Sequence, residues 1–355
     1  MELREDCRGL PVLVASLLLA IPSPLAAAAQ DKREQGTYQE MREYLGELYQ
    51  QKKYVEAAAL LERVLDRFPD NVRANTYNLA TMRVLTGEHD KAMQALEEGL
   101  RRGVFYGLWD FGGEVMAPLK KHAGFEAFWK RNLERLQEAQ SKATMKLEVV
   151  TPPGYDPSRT YPLFVALHGG GENLAVFKPN WVSPRLQAEF ITAYVQSSQV
   201  ADMTGFHWQD EPQTRRDLEA AYKDILAKYP VDRNRVIVGG FSSGGFASLV
   251  TVFHQFLQVR GFVALCPEVP TSIADADITA AVKRGLRGSL LTTEQDRRVE
   301  LQRALADRWK AMGLDGEFIV TPNIGHWYPK DFAQQLDHAI GRILGPPPQR
   351  QGGVD

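Results

Sequence analysis

The stretch Arg235-Val236-Ile237-Val238-Gly239-Gly240-Phe241-Ser242-Ser243-Gly244 decides how this chain is read. Its first half is apolar and β-branched, the composition of a buried strand. Its second half is G-x-S-x-G, and an Ala/Leu/Val-rich helix is expected over Gly245 to Phe253. Strand, glycine-flanked serine and helix together predict one sharp turn that lifts the Ser242 hydroxyl above a sheet edge. The outer glycines suit such a turn because a Cβ there would clash with neighbouring backbone. The same turn aims the positive end of the helix dipole at the reacting centre.

Three further parts follow the same logic. Tyr161-Pro162-Leu163-Phe164-Val165-Ala166 reads as a buried strand and runs into Leu167-His168-Gly169-Gly170-Gly171. A glycine-rich turn there offers backbone N–H groups, fixed before reaction, for a developing oxyanion. One donor is expected from Ser243, the residue after the nucleophile, and the other from Gly170 or Gly171. His168 itself reads as structural. Next, Asn323-Ile324-Gly325-His326-Trp327 follows the short strand Glu317 to Thr321. Of the chain's seven histidines, His89, His122, His254 and His338 sit in helical patterns, whereas His326 lies on a loop late in the chain, after both the serine and an acid candidate. It is the expected general base. The acid belongs on the loop after the strand around Ser289 to Thr292, where Glu294 and Asp296 both qualify by position; Asp296 is favoured. Its role would be to hold the His326 tautomer and to stabilise the imidazolium.

Composition bounds the rest. The 355 residues suffice for one large and one small domain, with 44% hydrophobic and 24% charged residues and a formal net charge of -2. No basic patch stands out, which argues against a nucleic-acid partner. Leu10 to Ile21 is apolar, Pro22-Ser23-Pro24 breaks it, and Ala26 to Ala29 offers a small-residue cleavage site. A signal peptide over 1–29 and export to the periplasm or medium are therefore expected. Cleavage would remove Cys7 and leave Cys266 alone, so no internal disulfide is expected. No Cys, His and carboxylate spacing suits a metal, and the chemistry requires no cofactor.

The chain has two rhythms. From about Tyr38 to Ala139, apolar residues recur at three- and four-residue spacing. Ala57/Ala92, Leu61/Leu96 and Leu65/Leu100 match at an offset of about 35 residues, close to the tetratricopeptide period of about 34. The aromatic and leucine-bearing segment Val115 to Gln140 is expected to cap these repeats. From Lys146 onward, strand and helix patterns alternate. Strands are expected at Leu147–Thr151, Pro162–Leu167, Phe190–Gln196, Arg235–Gly239, Gly261–Leu265, Ser289–Thr292 and Phe318–Thr321. Such alternation implies a mostly parallel sheet covered on both faces, with reactive residues at the carboxyl ends of its strands. The expected domains are a signal peptide (1–29), a tetratricopeptide-like helical domain (30–140), an α/β domain (141–345) and a flexible tail (346–355).

On these residues the chain from about 146 to 344 resembles the α/β-hydrolase serine esterases, of the phospholipase/carboxylesterase and polyhydroxybutyrate-depolymerase-like kinds. The resemblance is carried by Tyr161 to Gly171, Val231 to Gly245 and Gly325-His326-Trp327-Tyr328-Pro329. It implies an α/β-hydrolase fold and a Ser242, Asp296, His326 triad that cleaves carboxylic esters of small molecules or polymers. Two positions depart from the pattern: Thr293 stands where relatives often have glycine, and Ser243 where they have glutamine or asparagine. Trp208 and Trp327 are candidate substrate-binding residues. The helical repeats suggest a protein partner. Alternative readings are a serine peptidase of the prolyl-oligopeptidase type and a repeat-based binding protein with an inactive hydrolase domain.

Overall fold

The computed structural model describes residues 36–346. The expected signal peptide, and the expected tail beyond its first residue, lie outside them. The described chain forms two compact units that divide between Leu96 and Glu97.

The first unit is helical. Helices α1 (Tyr38–Gln50), α2 (Tyr54–Val64) and α3 (Val72–Leu85) precede α4 (His89–Arg101), in which the division falls. A capping box starts α1: the Glu40 N–H donates to Thr37 Oγ1, and the Thr37 N–H donates to the Glu40 carboxylate. Ala57, Ala58, Leu60 and Leu61 on α2 are fully buried, so small residues permit close helix approach while leucines fill the seam. Arg83 on α3 is nearly buried and pairs with both Glu62 and Glu88.

The second unit begins with residues 97–142, grouped with the repeats by their sequence rhythm. Asn132 on α5 (Phe125–Lys142) ties this segment together, accepting from the Tyr106 N–H at 2.7 Å and donating to its carbonyl at 2.9 Å. Gln140 of the same helix donates to Ser198 O and accepts from Val200 N. It thereby holds the hairpin Gln199–Val200/Phe206–His207 of the α/β part.

The sheet has seven strands: β1 (Lys146–Val150), β2 (Tyr161–Leu167), β3 (Ile191–Gln196), β4 (Val231–Phe241), β5 (Gly261–Leu265), β6 (Arg287–Thr293) and β7 (Asp315–Thr321). Their spatial order is β1-β3-β2-β4-β5-β6-β7, with only β1 antiparallel. This is the mostly parallel sheet of an α/β-hydrolase fold, as expected. Strands β2, β3 and β5 are buried along their whole length, because helices cover both faces and leave no solvent side to encode. Alternate residues serve the two faces. Leu163, Val165 and Leu167 pack with α6 (Glu211–Lys228), α7 (Ser243–Phe253), α8 (Asp275–Lys283) and α9 (Val299–Ala311). Phe164 and Ala166 pack with Trp181 and α10 (Phe332–Leu344). All the parallel strands point the same way, so the residues that follow β2, β4, β6 and β7 emerge along one edge.

Candidate active site

Ser242 follows the last residue of β4 and immediately precedes α7. Its φ of 54° and ψ of -110° lie outside the ordinary regions for a residue with a Cβ. The surrounding backbone imposes this strain. A Cβ on Gly240 would stand 2.3 Å from the Gly244 carbonyl group, and one on Gly244 would stand 2.3 Å from Leu167 O. Both glycines are thus sterically required. The Ser242 N–H donates to Leu265 O, and the Ser242 carbonyl accepts from Phe246 and Glu268, which fixes the turn between strand and helix.

The structure brings Ser242, His326 and Asp296 into one hydrogen-bonded chain. His326 Nε2 lies 2.9 Å from Ser242 Oγ, and His326 Nδ1 lies 2.7 Å from Asp296 Oδ2. A carboxylate only accepts, so Nδ1 carries the ring proton and Nε2 is free to accept from the serine hydroxyl. Asp296 is 2% exposed. Burial works against its charge, but the hydrogen bonds from His326 and the Arg298 N–H, with both neighbouring charges, hold its carboxyl well below the usual range. Glu294, the other acid candidate, instead accepts from the Asn323 N–H on the exposed side of the loop.

The loops bearing acid and imidazole are laced together. The Glu294 and Gln295 N–H groups donate to Thr321 O and Ile324 O. Thr293, one of the two departures from the esterase pattern, donates its hydroxyl to Gly325 O at 2.8 Å. Its side chain therefore anchors the residue before His326, a contact that glycine would lack.

The two candidate glycines separate. The Gly171 N–H is already engaged, donating to Phe206 O at 2.8 Å, so Gly171 is not an oxyanion donor in this arrangement. The Gly170 N–H has no partner among the described residues, and neither does the N–H of Ser243 at the first position of α7. A Cβ on Gly170 would lie 3.6 Å from Ser243 Cβ, so the two residues lie side by side. Behind them, buried His168 donates from Nδ1 to Gly169 O and accepts from the Ser197 N–H at Nε2. Burial lowers its pKa to about 4 and keeps the ring neutral, in the structural role expected. Glu172 is also buried, which raises its pKa, and it accepts from the Gly169 N–H.

The serine opens into a cavity of about 730 Å³ whose walls include Trp109, Phe241, Glu268, Arg298 and Trp327. A second cavity of about 760 Å³ lies over β1 and β3, between Tyr194 and Phe190, and contains none of the three linked residues. Trp208 requires a correction. It is fully buried in the core beneath the sheet and lines neither cavity. Its contribution is a backbone N–H donated to Ser243 Oγ at 2.9 Å. The indole that reaches the cavity from outside the sheet is Trp109, which no local pattern singled out. Arg298 was missed as well. Its Nη2 lies 3.2–3.3 Å from both ring nitrogens of His326, and its backbone braces Asp296 at 2.8 Å. The Cys266 sulfur, the Asp296 carboxylate and the His326 ring lie within 4.8 Å of one another. They fit a metal poorly: Asp296 and His326 hold each other, and burial pushes the Cys266 thiol up to about 11.

Residues 171–342 match the family model described as phospholipase/carboxylesterase. This segment is a phospholipase/carboxylesterase domain. Residues 48–104 match the tetratricopeptide repeat model, so the domain is preceded by a tetratricopeptide-like repeat region. An acyl-protein thioesterase 1 homolog from Dictyostelium discoideum is 24% identical over 135 residues, 37% of this chain and 59% of that protein. The chain thus spans under two thirds of that relative's length. An uncharacterized protein from Bacillus cereus ATCC 10987, solved by crystallography, is 25% identical with a TM-score of 0.50, covering 87% of this chain and 99% of its own. A thermophilic esterase from Thermogutta terrifontis, solved with butyrate bound, is 15% identical with a TM-score of 0.45 over 58% of this chain and 91% of its own. The phospholipase/carboxylesterase domain holds Ser242, Asp296 and His326, together with all of the cavity wall except Trp109, Gly112, Gly113 and Gly170.

Proposed function

We propose that the protein hydrolyses carboxylic esters through an acyl-enzyme on Ser242. The observation that carries this reading is the unbroken hydrogen-bonded chain Ser242–His326–Asp296 beside two unengaged N–H groups. As Ser242 Oγ bonds to the substrate carbonyl carbon, its proton passes to His326 Nε2. The carbonyl oxygen takes the negative charge and accepts from Gly170 and Ser243. The C–O bond to the leaving group then breaks, and His326 gives its proton to the departing alcohol. Water repeats the sequence on the acyl-enzyme and releases the carboxylic acid. Asp296 stays ionised throughout and holds the ring in its working tautomer.

Nothing in this mechanism distinguishes an oxygen from a sulfur leaving group. The name of the Dictyostelium relative makes acyl thioesters the second class to assay. A fluorophosphonate probe should label the wild-type protein at Ser242 and leave Ser242→Ala unlabelled. The same substitution should reduce p-nitrophenyl ester turnover by about 10⁶-fold. A folded wild-type protein that neither labels nor hydrolyses any ester in an acyl-length series would overturn the proposal.

A further inference from the structure

The chain has six tryptophans. Trp181, Trp208 and Trp309 are buried, whereas Trp109 is 48% and Trp327 55% exposed. Both exposed indoles line the cavity that holds Ser242 and His326. They come from separate segments of the chain. Trp109 lies on the oxyanion side, where a Cβ added to Gly170 would meet its ring at 3.0 Å. Its other neighbour is His207, at a ring separation of 5.5 Å. Trp327 directly follows His326 and packs edge-on against Phe241, the ring stacked on His326 at 4.8 Å. It therefore lies beside the residue that would protonate a leaving oxygen.

We propose that the two indoles divide the substrate between them, with Trp109 stacking a flat aromatic acyl group and Trp327 contacting the leaving alcohol, so that the preferred substrates are esters of arylcarboxylic acids. This rests on the esterase reading above. A half-exposed indole offers a planar apolar surface, and an aromatic partner gains from stacking beyond simple area burial. An acetyl group is too small to cover such a surface.

The test compares kcat/KM for p-nitrophenyl benzoate with that for p-nitrophenyl acetate. Trp109→Ala should lower the benzoate-to-acetate ratio by about three- to tenfold. Trp109→Phe should restore most of it. Trp109→Leu keeps apolar bulk without a flat ring and should lose the ratio as Trp109→Ala does, which covers the case of a poorly folded alanine variant. Trp327→Ala should leave that ratio in place and lower instead the preference for 2-naphthyl acetate over methyl acetate. Equal losses on benzoate and acetate in Trp109→Ala and Trp109→Leu would overturn the division. If the wild-type protein labels with fluorophosphonate and hydrolyses p-nitrophenyl acetate but the ratios do not move, the division fails and the esterase reading stands. If the wild-type protein does neither, the esterase reading itself fails.

Discussion

The strand-end cluster and the cavity rim are built in different ways. Ser242, Asp296, His326 and Gly170 each follow a parallel strand within five residues, in a sheet whose central strands are buried on both faces. Their positions are set by hydrogen-bonded register and by clashes that admit only glycine at 240 and 244. The rim is different. Trp109 comes from residues 97–142, held to the α/β part by Gln140 and the hairpin it braces, and Trp327 is half exposed on a loop. Gly240 and Gly244 have no freedom to vary without disturbing the fold, whereas rim residues can change with little cost to it. On the esterase reading proposed above, the chemistry would reside in the cluster and selectivity in the rim. Substitutions in the cluster should act on turnover or stability at large scale, and rim substitutions on ratios between substrates.

After the loss expected for Ser242→Ala, the largest effect is expected at Asp296. Asp296→Asn preserves shape but offers an amide N–H to His326 Nδ1 and so favours the wrong tautomer. Turnover should fall by about 10⁴-fold with little change in KM, read from steady-state kinetics on a p-nitrophenyl ester. A loss under tenfold would place Asp296 outside the catalytic chain and dissolve the distinction between cluster and rim.

That difference also explains what the sequence revealed. Strand ends, the glycine pair and the order serine, acid, histidine are local signals, because a buried parallel strand must be continuously apolar and a tight turn must be glycine. The choice of Gly170 over Gly171 was not local. It depends on the carbonyl of Phe206, delivered by a hairpin some thirty-five residues further on. The same hairpin turns Trp208 into the core while His207 meets Trp109. No periodicity in a two-residue strand tells that the tryptophan after it turns into the core. Arg298 was hidden for another reason: an arginine at the start of a helix ordinarily reads as solvated, and only the fold brings the His326 ring against it.

A smaller but still large effect is expected at Gly244. The methyl group of Gly244→Ala would meet the carbonyl oxygens of Leu167 and His168 at 2.3 and 2.5 Å. Both belong to backbone at the end of the central strand β2 and cannot move aside cheaply. Denaturant unfolding should show a loss of about 3–4 kcal/mol. Gly325→Ala is the control on the His326 loop, where nothing stands within 4 Å of an added Cβ; it should cost well under 1 kcal/mol. Similar losses at both positions would contradict the view that the strand-end cluster is the sterically determined region.

The smallest effect is carried by protons at His168, which underlies the cluster without reacting. Its folded-state pKa is lowered from 6.5 to about 4 by burial. Above about pH 6.5 the ring is neutral in both folded and unfolded chains, and its titration costs nothing. Between about pH 6.5 and 4 the unfolded chain binds a proton that the folded chain refuses, so stability falls with pH by about 1.4 kcal/mol per unit. The full loss approaches about 3 kcal/mol near pH 4. His168→Gln keeps hydrogen-bonding groups for Ser197 and Gly169 but does not titrate. Urea unfolding at about pH 7.5 and 4.5 should therefore show the wild type losing about 2–3 kcal/mol more than this variant, other carboxylates and histidines cancelling between the two. The comparison separates a ring that holds the Gly169–Gly170 turn by staying neutral from one that tolerates protonation. Equal acid sensitivity in both proteins would mean that His168 accepts its proton without opening the turn, and that the oxyanion side of the cluster is less rigidly built than the acid and imidazole side.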